Sequence, residues 1–228
     1  MRLAIMGAMR EEIEPLLEVF NVVATHEIAK NVFYEAKYKH HEIVLAYSKI
    51  GKVNAAVTAT ILLEKYKCEA LLFSGVAGAI DKSLKIGDLV IADRVVQHDV
   101  DITAFGHPFG FIPESGDFYQ ADENLNEVAK EAAKKIGKNL LVGTIATGDQ
   151  FVACEKKNSW IGDTFKAHAL EMEGASVGYV CSCYGKPFFI LRAISDGADM
   201  DAGFNFDTFL ASSAKESANL LVAMLDLL

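Results

Sequence analysis

The sequence has no apolar run of the roughly 18 to 20 residues that a membrane-spanning helix needs. It is short of basic residues: 22 lysines and arginines stand against 31 aspartates and glutamates, a net charge of −9. That balance argues against nucleic acid or a membrane surface as the main partner. Cysteine is scarce. The four present (Cys68, Cys154, Cys181 and Cys183) fit neither a disulfide framework nor zinc-ligand spacing. Cys181 and Cys183 lie in an apolar helix-like stretch and read as core residues. The opening "MRLAIMGAMREEIEP" meets acidic residues early, unlike a secretory or transit segment, so a cytoplasmic location is expected.

Several common sites are also missing. The first glycine turn reads "GAMREE", not G-x-G-x-x-G, and "SKIGKV" lacks the rest of a P-loop. There is no G-x-S-x-G nucleophile elbow. No cluster of histidine, cysteine and carboxylate has metal spacing; "HDVD" at 98–101 is too thin to count.

What remains is a globular composition, 51% hydrophobic and 23% charged over 228 residues, long enough for a sizeable core. Strand-like and helix-like patterns alternate. "RLAIMG", "EALLFSGVAGAI", "GDLVIADRVVQHDVD", "LLVGTIATGDQFV" and "PFFILRAISDGAD" read as strands, and "VFYEAKYKHHEIVLAYSKIG" as an antiparallel pair. "AMREEIEPLLEVF", "VNAAVTATILLEKY", "ADENLNEVAKEAAKKIG", "GASVGYVCSCYG" and "FDTFLASSAKESANLLVAMLDLL" read as helices. No linker or repeat interrupts them. The expectation is one α/β domain over residues 1–228, three-layered, with helices on both faces of a central mixed sheet. Residues 103–121 lack periodicity and carry Phe105, His107, Phe109, Phe111, Pro113 and Phe118. Such long loops are often lids or contact surfaces.

Polar residues that break their local pattern stand out. On a helical wheel Glu12 falls on the apolar face with Met9, Ile13, Leu16 and Phe20. Pro15 suggests that the regular helix starts close to Glu12. Near the positive end of the dipole, its carboxylate would tend to stay ionised. Spacing alone leaves two roles open: a first-turn cap, or a carboxylate facing a site. Asp196 ends a strongly apolar strand, where a turn or capping aspartate is the commoner finding. In "ALEMEG", Glu171 and Glu173 flank Met172 just before a run with no charge from Gly174 to Gly185. They fit a helix start or an acceptor for a vicinal diol. Gly75, Gly78 and Gly148 follow strands; each fits an ordinary turn or a close backbone approach to ligand.

"GAMREE", "FSGVAGAI", "HDVDITAFG", "GDQFV", "EMEGA" and "RAISDGAD" occur in this order along nearly the whole chain. Together they closely resemble the 5′-methylthioadenosine/S-adenosylhomocysteine nucleosidases of the nucleoside phosphorylase superfamily. "VQHDVDITAFGHPFGFIPES" looks most like the branch that also cleaves 6-amino-6-deoxyfutalosine, on a route to menaquinone. The resemblance implies a nucleoside phosphorylase-like fold and a hydrolase that needs no metal or cofactor. It implies that Glu12 activates water, and that Asp196, steadied by Ser195, acts on N7 of the leaving adenine. Glu173 would hold the ribose hydroxyls, with Met172 on the sugar and Arg192 nearby. Phe151 would stack on the base and Val152 read its edge, with Val76, Ala77 and Gly78 lining the site. Met9, Ile50 and Phe206 would line the 5′ pocket, near which His107 and Phe109 are also expected. Phe105 and Pro113 would reach in from the other subunit of a homodimer. Such chemistry parallels glycoside hydrolysis and calls for Asp196 to donate a proton while Glu12 stays ionised to accept one. The rivals are a phosphorylase on the same fold and a non-catalytic nucleoside-binding module.

Overall fold

A computed structural model describes residues 1–198 and 201–228. In chain order the elements are β1 (Arg2–Gly7), α1 (Arg10–Leu17), β2 (Asn21–Ile28), β3 (Asn31–Tyr38), β4 (His41–Tyr47), α2 (Lys52–Glu64), β5 (Ala70–Ala79) and β6 (Leu89–Gln97). They continue with β7 (Tyr119–Gln120), α3 (Glu123–Lys135), β8 (Leu140–Thr147), α4 (Glu155–Phe165), β9 (Ala167–Glu171), α5 (Gly174–Cys183), β10 (Phe188–Asp196) and α6 (Ala202–Leu225).

The strands form one mixed sheet. β5 pairs in parallel with β1 and β10, and β1 with β4; β3 and β2 extend that side antiparallel. On the other side the pairings β10–β6, β6–β8, β8–β9 and β9–β5 return to β5. Five strands therefore close into a ring, and the rest of the sheet is an extension of it.

Both faces are covered, which is why the central strands read as continuous apolar runs. Side chains alternate across the sheet. Along β10, Phe188 and Ile190 join the core under α2 and α5, while Phe189 and Leu191 join the core under α1, α3 and α6. Along β5, Leu71 and Phe73 face the first group and Leu72 the second. The uncharged α5 is core packing: Ala175, Val177 and Cys181 are fully buried.

The layered α/β expectation holds, with differences in detail. β2 was not anticipated, because most of its residues are exposed and it offers no apolar face to a core. α4 and β9 were also missed; β9 is only five residues and starts just after Lys166, whose φ is 53°. Helix α1 begins at Arg10, which puts Glu12 in its first turn as expected and Pro15 inside the helix. Gly75 and Gly78 lie within β5 rather than in a turn after it. Cys183 is exposed, because α5 turns its last residue out of the core. The "RAISDGAD" motif ends at Asp199, outside the described residues.

Phe189 fills the core beneath α3 and α6 with no solvent exposure. Phe189→Ala is expected to cost about 3–5 kcal/mol of stability. A urea unfolding midpoint close to that of the wild type would contradict this packing.

Candidate active site

Strand ends that the sheet brings together leave their loops together, and ligands gather there. The ends of β1, β5, β8, β9 and β10 surround a cavity of about 450 Å³. Glu12 enters it from the first turn of α1. One of its oxygens accepts the N–H groups of Ala8 (2.5 Å) and Met9 (3.0 Å); the other accepts the Val76 N–H at 3.0 Å. Both roles left open by the spacing are thus filled by one side chain, which reaches back to the helix start and also lines the cavity.

Glu12 reaches Val76 because β5 carries glycine beside it. A Cβ on Gly75 would lie 2.6 Å from Glu12 Oε1, and one on Gly78 would lie 2.9 Å from Asp196 Oδ1. Neither glycine has a positive φ. Their purpose is room for two carboxylates, not a turn. Asp196 Oδ2 accepts the Ser195 hydroxyl at 2.9 Å, and its Oδ1 accepts the Ala198 N–H at 2.9 Å.

The two glutamates of "EMEG" separate. Glu171 ends β9 and is tied down: it accepts from the Thr147 hydroxyl, from the N–H groups of Glu173 (3.1 Å) and Gly174 (2.7 Å), and from Arg192 (2.6 Å). Glu173 precedes α5 and accepts the Gly51 N–H at 2.7 Å. Arg192 does not line the cavity. It is 1% exposed, lies with its guanidinium 4.1 Å from the centre of the Phe73 ring, and donates to the Leu191 carbonyl at 3.0 Å.

Glu12 was expected to stay ionised; the outcome is more balanced. Burial pushes its carboxyl above the ordinary value, against the pull of Arg192 and the three N–H donors. A carboxylate whose proton affinity is raised is a stronger acceptor for a water proton than a fully stabilised one. Burial, with Glu171 alongside, also pushes Glu173 up to about 8, opposed by the Gly51 N–H and by Arg192.

Met9, Ile50, Val76, Ala77, Gly78, Phe151, Val152, Met172, Glu173, Ser195 and Phe206 all line the same cavity as Glu12 and Asp196. Phe151 and Phe206 meet edge to face at 5.6 Å on its rim. Four residues of the long loop do not reach it in this chain. Phe105 is 81% exposed and Pro113 is exposed. His107 stacks on Phe111, and Phe109 packs against Trp160. Sequence reasoning missed Ala8, Gln150, Leu170, Gly203 and Asp207 in the lining, and Gly51 as a donor to Glu173. The signal for Gly51 was "SKIGKV", considered above only as a P-loop fragment.

A layered α/β fold with carboxylates gathered at its strand ends is suited to an enzyme that works by acid–base chemistry. A family model for the phosphorylase superfamily matches residues 2–226, and the chain belongs to that superfamily. Within it, the chain is 53% identical over 224 residues to an aminodeoxyfutalosine nucleosidase from Campylobacter jejuni, covering 98% of each chain. It is 42% identical over 229 residues to a 5′-methylthioadenosine/S-adenosylhomocysteine nucleosidase from Bacillus thuringiensis, covering 99% of each. The solved futalosine hydrolase of Helicobacter pylori matches with a TM-score of 0.98 at 49% identity, over 100% of this chain and 98% of that one.

The raised Glu173 has a consequence for stability. A carboxyl whose folded value lies above its unfolded value of 4.5 contributes its full stability below that value, and loses it as pH rises towards about 8. In the ligand-free protein, Glu173→Gln should remove this loss. Relative to wild type, the variant is expected to gain about 1–4 kcal/mol between pH 5 and pH 8. Urea unfolding at both pH values measures it; parallel curves for the two proteins would contradict the expectation.

Proposed function

We propose that this chain is an N-ribosyl hydrolase releasing adenine from 5′-substituted adenosine nucleosides. The substrates are 5′-methylthioadenosine, S-adenosylhomocysteine and 6-amino-6-deoxyfutalosine, serving methionine salvage and menaquinone biosynthesis. The names of its relatives support this reading. One observation favours water over phosphate as the attacking group. The cavity is lined by Glu12, Glu171, Glu173, Asp196 and Asp207 and, among the described residues, by no lysine, arginine or histidine. A phosphate nucleophile needs cationic donors, whereas water needs a base.

In this reading the bond from the anomeric carbon to adenine breaks and its electron pair leaves with the base. Asp196, held by Ser195, supplies a proton at N7 of the adenine. Water attacks the anomeric carbon and gives a proton to Glu12. Glu173 takes the ribose hydroxyls, and Met172 packs on the sugar. Phe151 stacks on the base, backbone groups of Val152 read its edge, and Val76, Ala77 and Gly78 form the wall beside it. Met9, Ile50 and Phe206 receive the 5′ substituent. Arg192 acts from behind, as counter-charge to the carboxylates. We assign the chain as one domain, acting as a cytoplasmic homodimer in which Phe105 and Pro113 of one protomer complete the site of its partner. Their exposure in the single chain supports that assignment.

A non-catalytic binding module would need no acid–base pair. Glu12→Gln is therefore expected to lower kcat by about 100-fold or more, the range for a lost general base, while a nonhydrolysable analogue still binds. Wild-type turnover in this variant would remove Glu12 from the mechanism. The wild type should release adenine and a free sugar in phosphate-free buffer. A requirement for phosphate, with a sugar 1-phosphate as product, would overturn the hydrolase reading.

A further inference from the structure

We propose that Lys52, Asp99 and Asp149 form a positioning latch that sets the Gly51 N–H on the Glu173 carboxylate and anchors the adjoining Phe151 loop. This rests on the reading of Glu173 as the ribose-binding group. Three segments far apart in sequence meet here. The Lys52 ammonium donates to Asp99 Oδ1 at 2.7 Å and to Gln97 Oε1 at 3.1 Å. The other oxygen of Asp99 accepts the Asp149 N–H at 2.9 Å. Asp149 Oδ1 in turn accepts the Lys52 N–H at 2.7 Å, closing the circuit.

The circuit is not a solvated surface pair. The Lys52 and Asp99 side chains are only 18% and 13% exposed, so the interaction escapes most of the screening that weakens exposed ion pairs. Burial alone would push Asp99 up. The Lys52 ammonium and the Asp149 N–H outweigh it and hold the carboxyl below its ordinary value.

Gly51 is the point on which the latch acts. Its φ of 100° lies in the region that favours glycine, and a Cβ there would meet Asp149 Oδ1 at 3.1 Å. Gly51 also caps α2, a helix with no acidic residue in its first turn and no side-chain cap. Asp149 supplies the missing carboxylate from across the site. With Lys52 pinned on one side, the Gly51 N–H is fixed 2.7 Å from Glu173 Oε1. Its neighbour Ile50 and the Asp149 neighbours Gln150 and Phe151 all line the cavity. Besides this N–H, Glu173 faces Glu171, Arg192 and Glu12. Only the N–H and Arg192 favour its ionised form, so loosening the latch removes one of the two.

Lys52→Met tests this, with 5′-methylthioadenosine as substrate. KM is expected to rise about tenfold, the loss of roughly one hydrogen bond to a charged group, with kcat little changed. The carboxyl carbon signal of Glu173, assigned by its absence in Glu173→Gln, should titrate about one pH unit higher in Lys52→Met. Lys52→Arg, which keeps the charge, should restore much of both. Asp99→Asn is the second variant if Lys52→Met does not fold, with the same direction of change. An unmoved Glu173 titration overturns the proposal, whether or not KM or thermal stability changes, because the tie is then structural only. An unchanged KM in a folded variant of an active enzyme overturns it equally. If the wild type releases no adenine, the functional reading fails, and the titration alone decides the latch.

Discussion

The site depends on one buried cation. Arg192 lies beneath the cavity, almost without exposure, and its guanidinium is bonded to Glu171 at 2.6 Å. It also pulls on Glu12 and Glu173 through space. Three carboxylates crowded into a low-dielectric pocket would otherwise repel one another, and burial would protonate them. One guanidinium does not neutralise all three. Glu171, in direct contact, takes the strongest share, while Glu12 and Glu173 stay poised above their ordinary range. Both raised groups line the cavity, as does Glu171.

Main-chain donors do the rest. Glu12 is held by three backbone N–H groups, Glu171 by two and Glu173 by one. Backbone donors stabilise charge without adding a positive side chain to the pocket, so the lining stays acidic and unwelcoming to a phosphate ion. Gly75 and Gly78 make this possible on the strand that runs beside both Glu12 and Asp196. A methyl group at either position would occupy the space of a carboxylate oxygen.

Much of the fold was legible in the alternation of apolar runs, because strands buried on both faces and helices with one apolar stripe leave clear patterns. Two of the missed elements leave little pattern, since β2 is an exposed edge strand and β9 is five residues long; α4 was missed although it buries Ile161 and Phe165. Glu12, Asp196 and Glu173 were visible as charges in the wrong company. Gly51, Asp99 and Asp149 were not. Each is an ordinary loop residue in its own segment and acquires meaning only from partners some 45 or more positions away. The proton affinity of Glu12 was only partly legible for a related reason. Helix position and backbone donors argue for ionisation, but the depth of burial that opposes them is a property of the closed fold.

Taken alone, the sequence determined the layered architecture, the order of the motifs, the superfamily they resemble and the carboxylates that break their local pattern. These are local properties, set by periodicity and by residues within a turn or two of one another. Tertiary structure decided which glutamate of "EMEG" is bound to Arg192 and which meets the Gly51 N–H, while both line the cavity. It also decided that the β5 glycines serve as space rather than turns. Both follow from packing: they depend on which strand ends the ring of β-sheet brings together, and no stretch of chain records that distance by itself.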